Sequence, residues 1–161
     1  MASPNQRSTD FMFSASMGAS LILMSRVILQ AAERFPEPQN FVVSEMEVWR
    51  EYAKDAVSHA SLEPLIRQSF EYMADERMIR IGRAMQGTDG FTTVTGYEGV
   101  RLTPEMLAVV NGGAPTAKTS PTLGHSLSTA IEQRQWQKAN QVFCRIIMDL
   151  VALRNRGQLP L

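Results

Sequence analysis

Cysteine is almost missing from this chain. Cys144 is the only one in 161 residues, so no disulfide can form within it. That fits a reducing compartment. Histidine is nearly as scarce: there are two, His59 and His125. With one cysteine and two distant histidines, a zinc site lacks nitrogen and sulfur ligands. The Glu-x-x-His pairs of di-metal helical bundles do not occur. His59 and Glu63 are four apart, but a break read at Ser61 to Pro64 spoils their helical register. No glycine-rich phosphate loop follows a strand, and "NGGAPTAKTS" lacks the P-loop spacing. A catalytic thiol needs a nearby base and an electropositive, open setting. Cys144 lies between Phe143 and Arg145 in an amphipathic stretch and reads as a buried cysteine. These gaps exclude the common metal, nucleotide and thiol chemistries. The reading is of no catalytic residues, no metal, no cofactor and no enzyme.

A membrane span is also missing. Spanning needs about 20 mainly apolar residues. Between Asp10 and Arg26 there are fifteen, and four are serine. No basic cluster precedes this stretch and no small-residue cleavage site follows it, so it does not read as a secretion signal. The expected location is cytoplasmic or within a macromolecular assembly.

What is present is helical periodicity. Residues 1–9 are polar and read as a flexible arm, followed by a single domain over 10–161. "FMFSASMGASLILMSRVILQ" (11–30) is the most apolar stretch, and the helix it predicts runs to about Phe35 before Pro36 and Pro38 stop it. Its small residues fall four apart: Ser14 and Gly18 lead to Ile22 on one ridge, Ala15 and Ala19 to Leu23 on the next. Such ridges admit another helix closely, either within the chain or across a subunit contact.

Ser44 and Glu47 form a capping-box pattern and predict a helix to about Ala60. Pro64 suits the first turn of another, which the spacing of Leu65, Ile66, Phe70, Met73, Met78, Ile81 and Met85 carries to Gly87. Phe91–Thr95 and Tyr97–Leu102 read as a small β-hairpin turning near Gly96. Thr103 and Pro104 then start a short helix. A long loop, 111–126, leads to Ser126 as cap and one long helix from Leu127 to about Arg156. Its apolar face includes Ile131, Trp136, Phe143, Ile146 and Leu150. The fold class is therefore mainly α: an irregular bundle of four to five helices with a small hairpin near 91–102.

Charge is balanced overall but unevenly spread. Residues 33–76 carry net −6 and residues 77–161 net +5. Arginine outnumbers lysine thirteen to three. Arg77, Arg80 and Arg83 recur every three residues, along one side of the helix read there. Arg134, Lys138 and Arg145 fall on nearby rows of the last helix. Ten methionines add adaptable contact surface. The function these features suggest is a structural or adaptor subunit, assembling with itself or within a larger complex. The alternative is a nucleic-acid-associated subunit whose arginine rows contact phosphate.

Overall fold

The structure is a computed structural model. It describes the backbone of residues 4–46, 59–87, 93–112 and 121–158, and the side-chain surroundings of 18–46, 63–87, 93–112 and 121–156. In chain order the elements are α1 (Pro4–Glu33), β1 (Gln39–Val42), a 3-10 turn (Val43–Glu45), α2 (His59–Asp75), β2 (Ile79–Arg80), β3 (Arg83–Gln86), β4 (Val94–Leu102), α3 (Pro104–Asn111), α4 (Leu123–Glu132) and α5 (Trp136–Gln158).

The sheet corrects the fold class. It is not a small hairpin on a helical bundle but a four-stranded antiparallel sheet. The nine-residue β4 lies at its centre. On one side β1 pairs with it, Phe41 opposite Tyr97. On the other side β2 and β3 follow one another along it, Ile79 opposite Leu102 and Ala84 opposite Tyr97. The turn read at Gly96 does not exist: Gly96 lies inside β4. A Cβ there would come 2.6 Å from the Phe41 carbonyl oxygen, so the close approach of β1 requires glycine. At Gly99, with φ +67°, β4 bulges; the Gly99 N–H donates to Asn40 Oδ1 at 3.1 Å. Residues 91 and 92 of the hairpin lie outside the described residues.

The helix read as continuing to Gly87 ends instead at Asp75. Arg77 adopts φ +57°. Its N–H donates to the Ala74 carbonyl at 3.0 Å, and the Met78 N–H reaches back to the Met73 carbonyl at 2.8 Å. That pair of bonds is the Schellman stop, which usually employs glycine. The chain leaves it as β2. The break at Ser61 to Pro64 is likewise absent, since α2 runs through Pro64. The long last helix is two helices. Arg134, at φ +54°, repeats the same stop: Gln135 N–H to Ala130 carbonyl at 2.8 Å, Arg134 N–H to Ile131 carbonyl at 3.0 Å. Thr122, not Ser126, caps α4, its hydroxyl accepting from the His125 N–H. Thr103 caps α3 with Pro104 in the first turn. The helix read from Ser44 to Ala60 lies mostly in 47–58, outside the described residues; Ser44 itself is in the 3-10 turn. α1 begins at Pro4, so 4–9 belong to its backbone.

One contiguous apolar core joins both kinds of element. Ile22 and Ile28 of α1, Phe70 and Met73 of α2, Val100 of β4 and Ile146 of α5 are all fully buried in it. Phe70 stacks on Tyr97 with ring centroids 4.0 Å apart. Each such side chain contributes roughly 1.5–3 kcal/mol by leaving water. The described part of the small-residue ridges of α1 is covered by its own chain. Ala19 is 1 % exposed and Ile22 0 %, while Gly18 is half-buried. Ser20 Oγ and Ser69 Oγ are 2.7 Å apart, so α1 and α2 meet over small side chains. From Ala19 onward, α1 is core of its own chain. The side chains of Ser14 and Ala15 lie outside the described residues. No helix among the described residues is long and apolar enough to cross a membrane.

Candidate functional site

The face most unlike ordinary surface is the outward side of α5. On α5, Ala139, Phe143, Ile146 and Leu150 point inward. Cys144, Met148 and Val151, spaced by four and three, therefore point outward. Met148 is 67 % exposed and Val151 40 %. Cys144 is exposed as well, against the expectation of burial. Tyr72 on α2 is also 40 % exposed. Burial raises the pKa of the Tyr72 phenol, Glu76 and Cys144 raise it further, and Arg154 lowers it. Glu76 and Arg154 join the two helices with an ion pair at 3.1 Å. The outcome is an apolar strip of Cys144, Met148, Val151 and Ala152 along the outward side of α5, with Tyr72 brought near it by the Glu76–Arg154 pair.

Charged side chains are exposed on both helices. Glu71 and Asp75 are exposed on α2. On the other flank of α5, Lys138, Arg145 and Arg156 are exposed. Arg145, Ala152 and Arg156 line a hollow of about 330 Å³ shared with α3, which fixes that flank as the one turned away from α2. Arg145 is bound to Asp149 at 3.0 Å.

The six basic positions expected to form rows separate into distinct places. Arg134 occupies the turn between α4 and α5, and Lys138 and Arg145 belong to α5. Arg77, Arg80 and Arg83 do not spiral on a helix, because the chain is turn and strand there. Arg83 pairs with Glu98 across β3 and β4 at 2.9 Å. Arg80 lies directly opposite Arg101 across β2 and β4, and both are exposed. Among the described residues neither has an acidic partner within ion-pair distance. Sequence reasoning passed over Arg101. The alternation Ile79–Arg80–Ile81 was the available signal, since period two marks a strand.

A larger cleft of about 770 Å³ opens between α1, β1 and α4. Its walls mix Arg26 and Arg34 with Glu33, Glu45 and Glu132, and hold no histidine or cysteine. His125 is exposed in the first turn of α4. Among the described residues no three His, Cys, Asp or Glu side chains gather closely enough to hold a metal ion. Comparison with protein-family models, with curated proteins and with solved structures finds no match.

Proposed function

We propose that the protein is a non-enzymatic structural or adaptor subunit that acts by protein–protein assembly through the outward side of α5. The carrying observation is Met148, 67 % exposed, with Cys144, Val151 and Ala152 exposed one turn away on the same side of α5. Single exposed apolar residues are ordinary, but several on one side of a helix mark an interaction site. Met and Tyr are enriched in such interfaces. The strip also belongs to rigid elements, because α5 is anchored through Phe143, Ile146 and Leu150. The test is a photo-reactive side chain at position 148 of the full chain, in the cells that make it. Discrete protein adducts are expected from position 148 and not from Glu105, an exposed polar site on α3. An absence of adducts at 148 overturns the reading.

A second reading has one observation in its favour. Like charges directly across a sheet are destabilising, and Arg80 opposite Arg101 is such a pair. Phosphates of a nucleic acid bound there relieve the repulsion. The exposed acids Glu71 and Asp75 confine such contact to the sheet rather than α2. This reading expects salt-sensitive binding to a mixed-sequence duplex or single strand. Replacing Arg80 and Arg101 by Gln then lowers the salt slope by about two. An unchanged slope rejects it.

A further inference from the structure

Resting on the reading of Arg80 and Arg101 as a phosphate contact, we propose that the outer face of the sheet holds a site for one phosphoryl dianion. Its ligand is free phosphate or a phosphate monoester, rather than the successive diesters of a backbone. The two arginines face each other directly across β2 and β4, and both are exposed. Side chains so opposed start roughly 4.5–5.5 Å apart at Cβ, so both guanidinium groups can reach a single phosphorus. Each guanidinium presents a planar fork of N–H donors that fits two oxygens of a phosphate. Charge narrows the ligand. Two fixed positive charges are neutralised by one group carrying close to two negative charges. A phosphate monoester carries them, and a diester or a carboxylate does not.

The surroundings leave room for such a group. Further along the same strands, Arg83 Nη2 donates to Glu98 Oε2 at 2.9 Å. Between that pair and the opposed arginines lie Ile81 and Gly82 on one chain, and Gly99 and Val100 on the other. Val100 is buried and Ile81 packs on the core. Gly82 and Gly99 therefore take the outward positions, two residues from Arg80 and Arg101. Their backbones touch: a Cβ on either would come 3.3 Å from the Cα of the other. No side chain rises from them, so the arginines stand beside a floor of bare backbone. On its β1 side Asn40 Oδ1 accepts from the Gly99 N–H at 3.1 Å, which leaves the Asn40 amide nitrogen as a further donor at the rim. Acids do not compete for the arginines. Glu98 is held by Arg83, and Glu105, in the first turn of α3, pairs with neither Arg80 nor Arg101. Among the described residues, the side chains of the opposed arginines have no hydrogen bond or ion pair at all. The sheet thus carries a like-charge contact that one bound dianion relieves.

The experiment uses the purified, isotope-labelled full chain at about pH 8, where methyl phosphate is a dianion and dimethyl phosphate a monoanion. Inorganic phosphate and methyl phosphate should shift the amide signals of Gly82 and Gly99 in a saturable way. Dimethyl phosphate should bind about tenfold more weakly or worse, and so should methyl phosphate to Arg80→Gln/Arg101→Gln. Lys138→Gln, on α5, should match wild type. Without phosphate the double variant should resist urea at least as well as wild type, because a like-charge pair is gone. Lost binding is then not lost folding. Methyl phosphate that binds like inorganic phosphate points to an esterified source, and inorganic phosphate alone points to the free ion; both results uphold the dianion site. No saturable shift with either overturns it. So does binding that survives the double substitution, dimethyl phosphate that binds as tightly as methyl phosphate, or a double variant weaker in urea than wild type. A single-stranded oligonucleotide without terminal phosphates separates the two phosphate readings. If it binds through Arg80 and Arg101 while the small phosphates do not, the dianion site fails and the backbone reading stands. If nothing binds, both fail.

Discussion

Tyr97 shows how much one hydroxyl can reveal. Its ring is buried and stacked on Phe70 at 4.0 Å, a favourable arrangement worth roughly 0.5–1.5 kcal/mol beyond burial. Its hydroxyl has no hydrogen-bond partner among the described residues. A buried polar group left in that condition costs about 1–3 kcal/mol. Burial, with Glu71 and Glu63 nearby, pushes the phenol pKa up to about 12. The pH consequence follows from linkage. Below pH 10 the phenol is protonated in both folded and unfolded chains, so its contribution is constant. From about pH 10 to 12 the unfolded phenol ionises while the folded one does not, and stability falls as pH rises. Tyr97→Phe keeps the stack and removes the hydroxyl. It should gain about 1 kcal/mol at pH 7, and its advantage over wild type should widen at pH 11. Urea unfolding at the two pH values measures both effects. A variant less stable at pH 7 would mean that the hydroxyl is satisfied after all.

The helix ends decide how much of the fold was legible. Thr103 with Pro104 announced α3, and the stop at Pro36 announced the end of α1, because caps and prolines act locally. The inward face of α5 was legible from its period from Ala139 onward, but Trp136, read as part of that face, is 39 % exposed at the start of the helix. Two helix ends were hidden because arginine occupies the left-handed position that glycine usually fills. Arg77 ends α2 and Arg134 ends α4 without any sequence punctuation. Met78, Ile81 and Met85 happen to match helical spacing, so β2 and β3 read as more helix, and β1 is only four residues long. The candidate face was partly visible. Met148 and Val151 are apolar residues left off the inward face of α5, which was a signal of outward apolar surface. Cys144 was misread because a cysteine within an amphipathic helix is more often buried. Tyr72 joins the face only through tertiary packing, and no local pattern contains that. The same reasoning predicts a stabilising change. Arg134→Gly relieves the left-handed strain while keeping both closing hydrogen bonds, and should gain about 0.5–1 kcal/mol. Arg134→Ala should not gain, because alanine carries the same Cβ. Thermal unfolding compares the two, and equal effects would show that backbone strain is not what the position costs.

At the scale of the molecule, the question is whether sheet and helices form one cooperative unit. β4 has helices packed against it and strands on both edges, and its Val100 and Leu102 share the core with α1, α2 and α5. α1 touches α2, β4, α4 and α5, so it contacts the sheet and most of the helices. Ile22 sits at that crossing, fully buried. A cavity there removes contacts from several elements at once. Ile22→Ala should therefore cost about 2–5 kcal/mol, and helical and tertiary signals should shift together with one midpoint. Near- and far-ultraviolet circular dichroism across a urea series read the two signals on the same samples. Separate midpoints would show that the sheet holds without α1. The notion of one rigid body presenting the outward side of α5 would then give way to a looser platform, in which that side need not keep one position relative to the sheet.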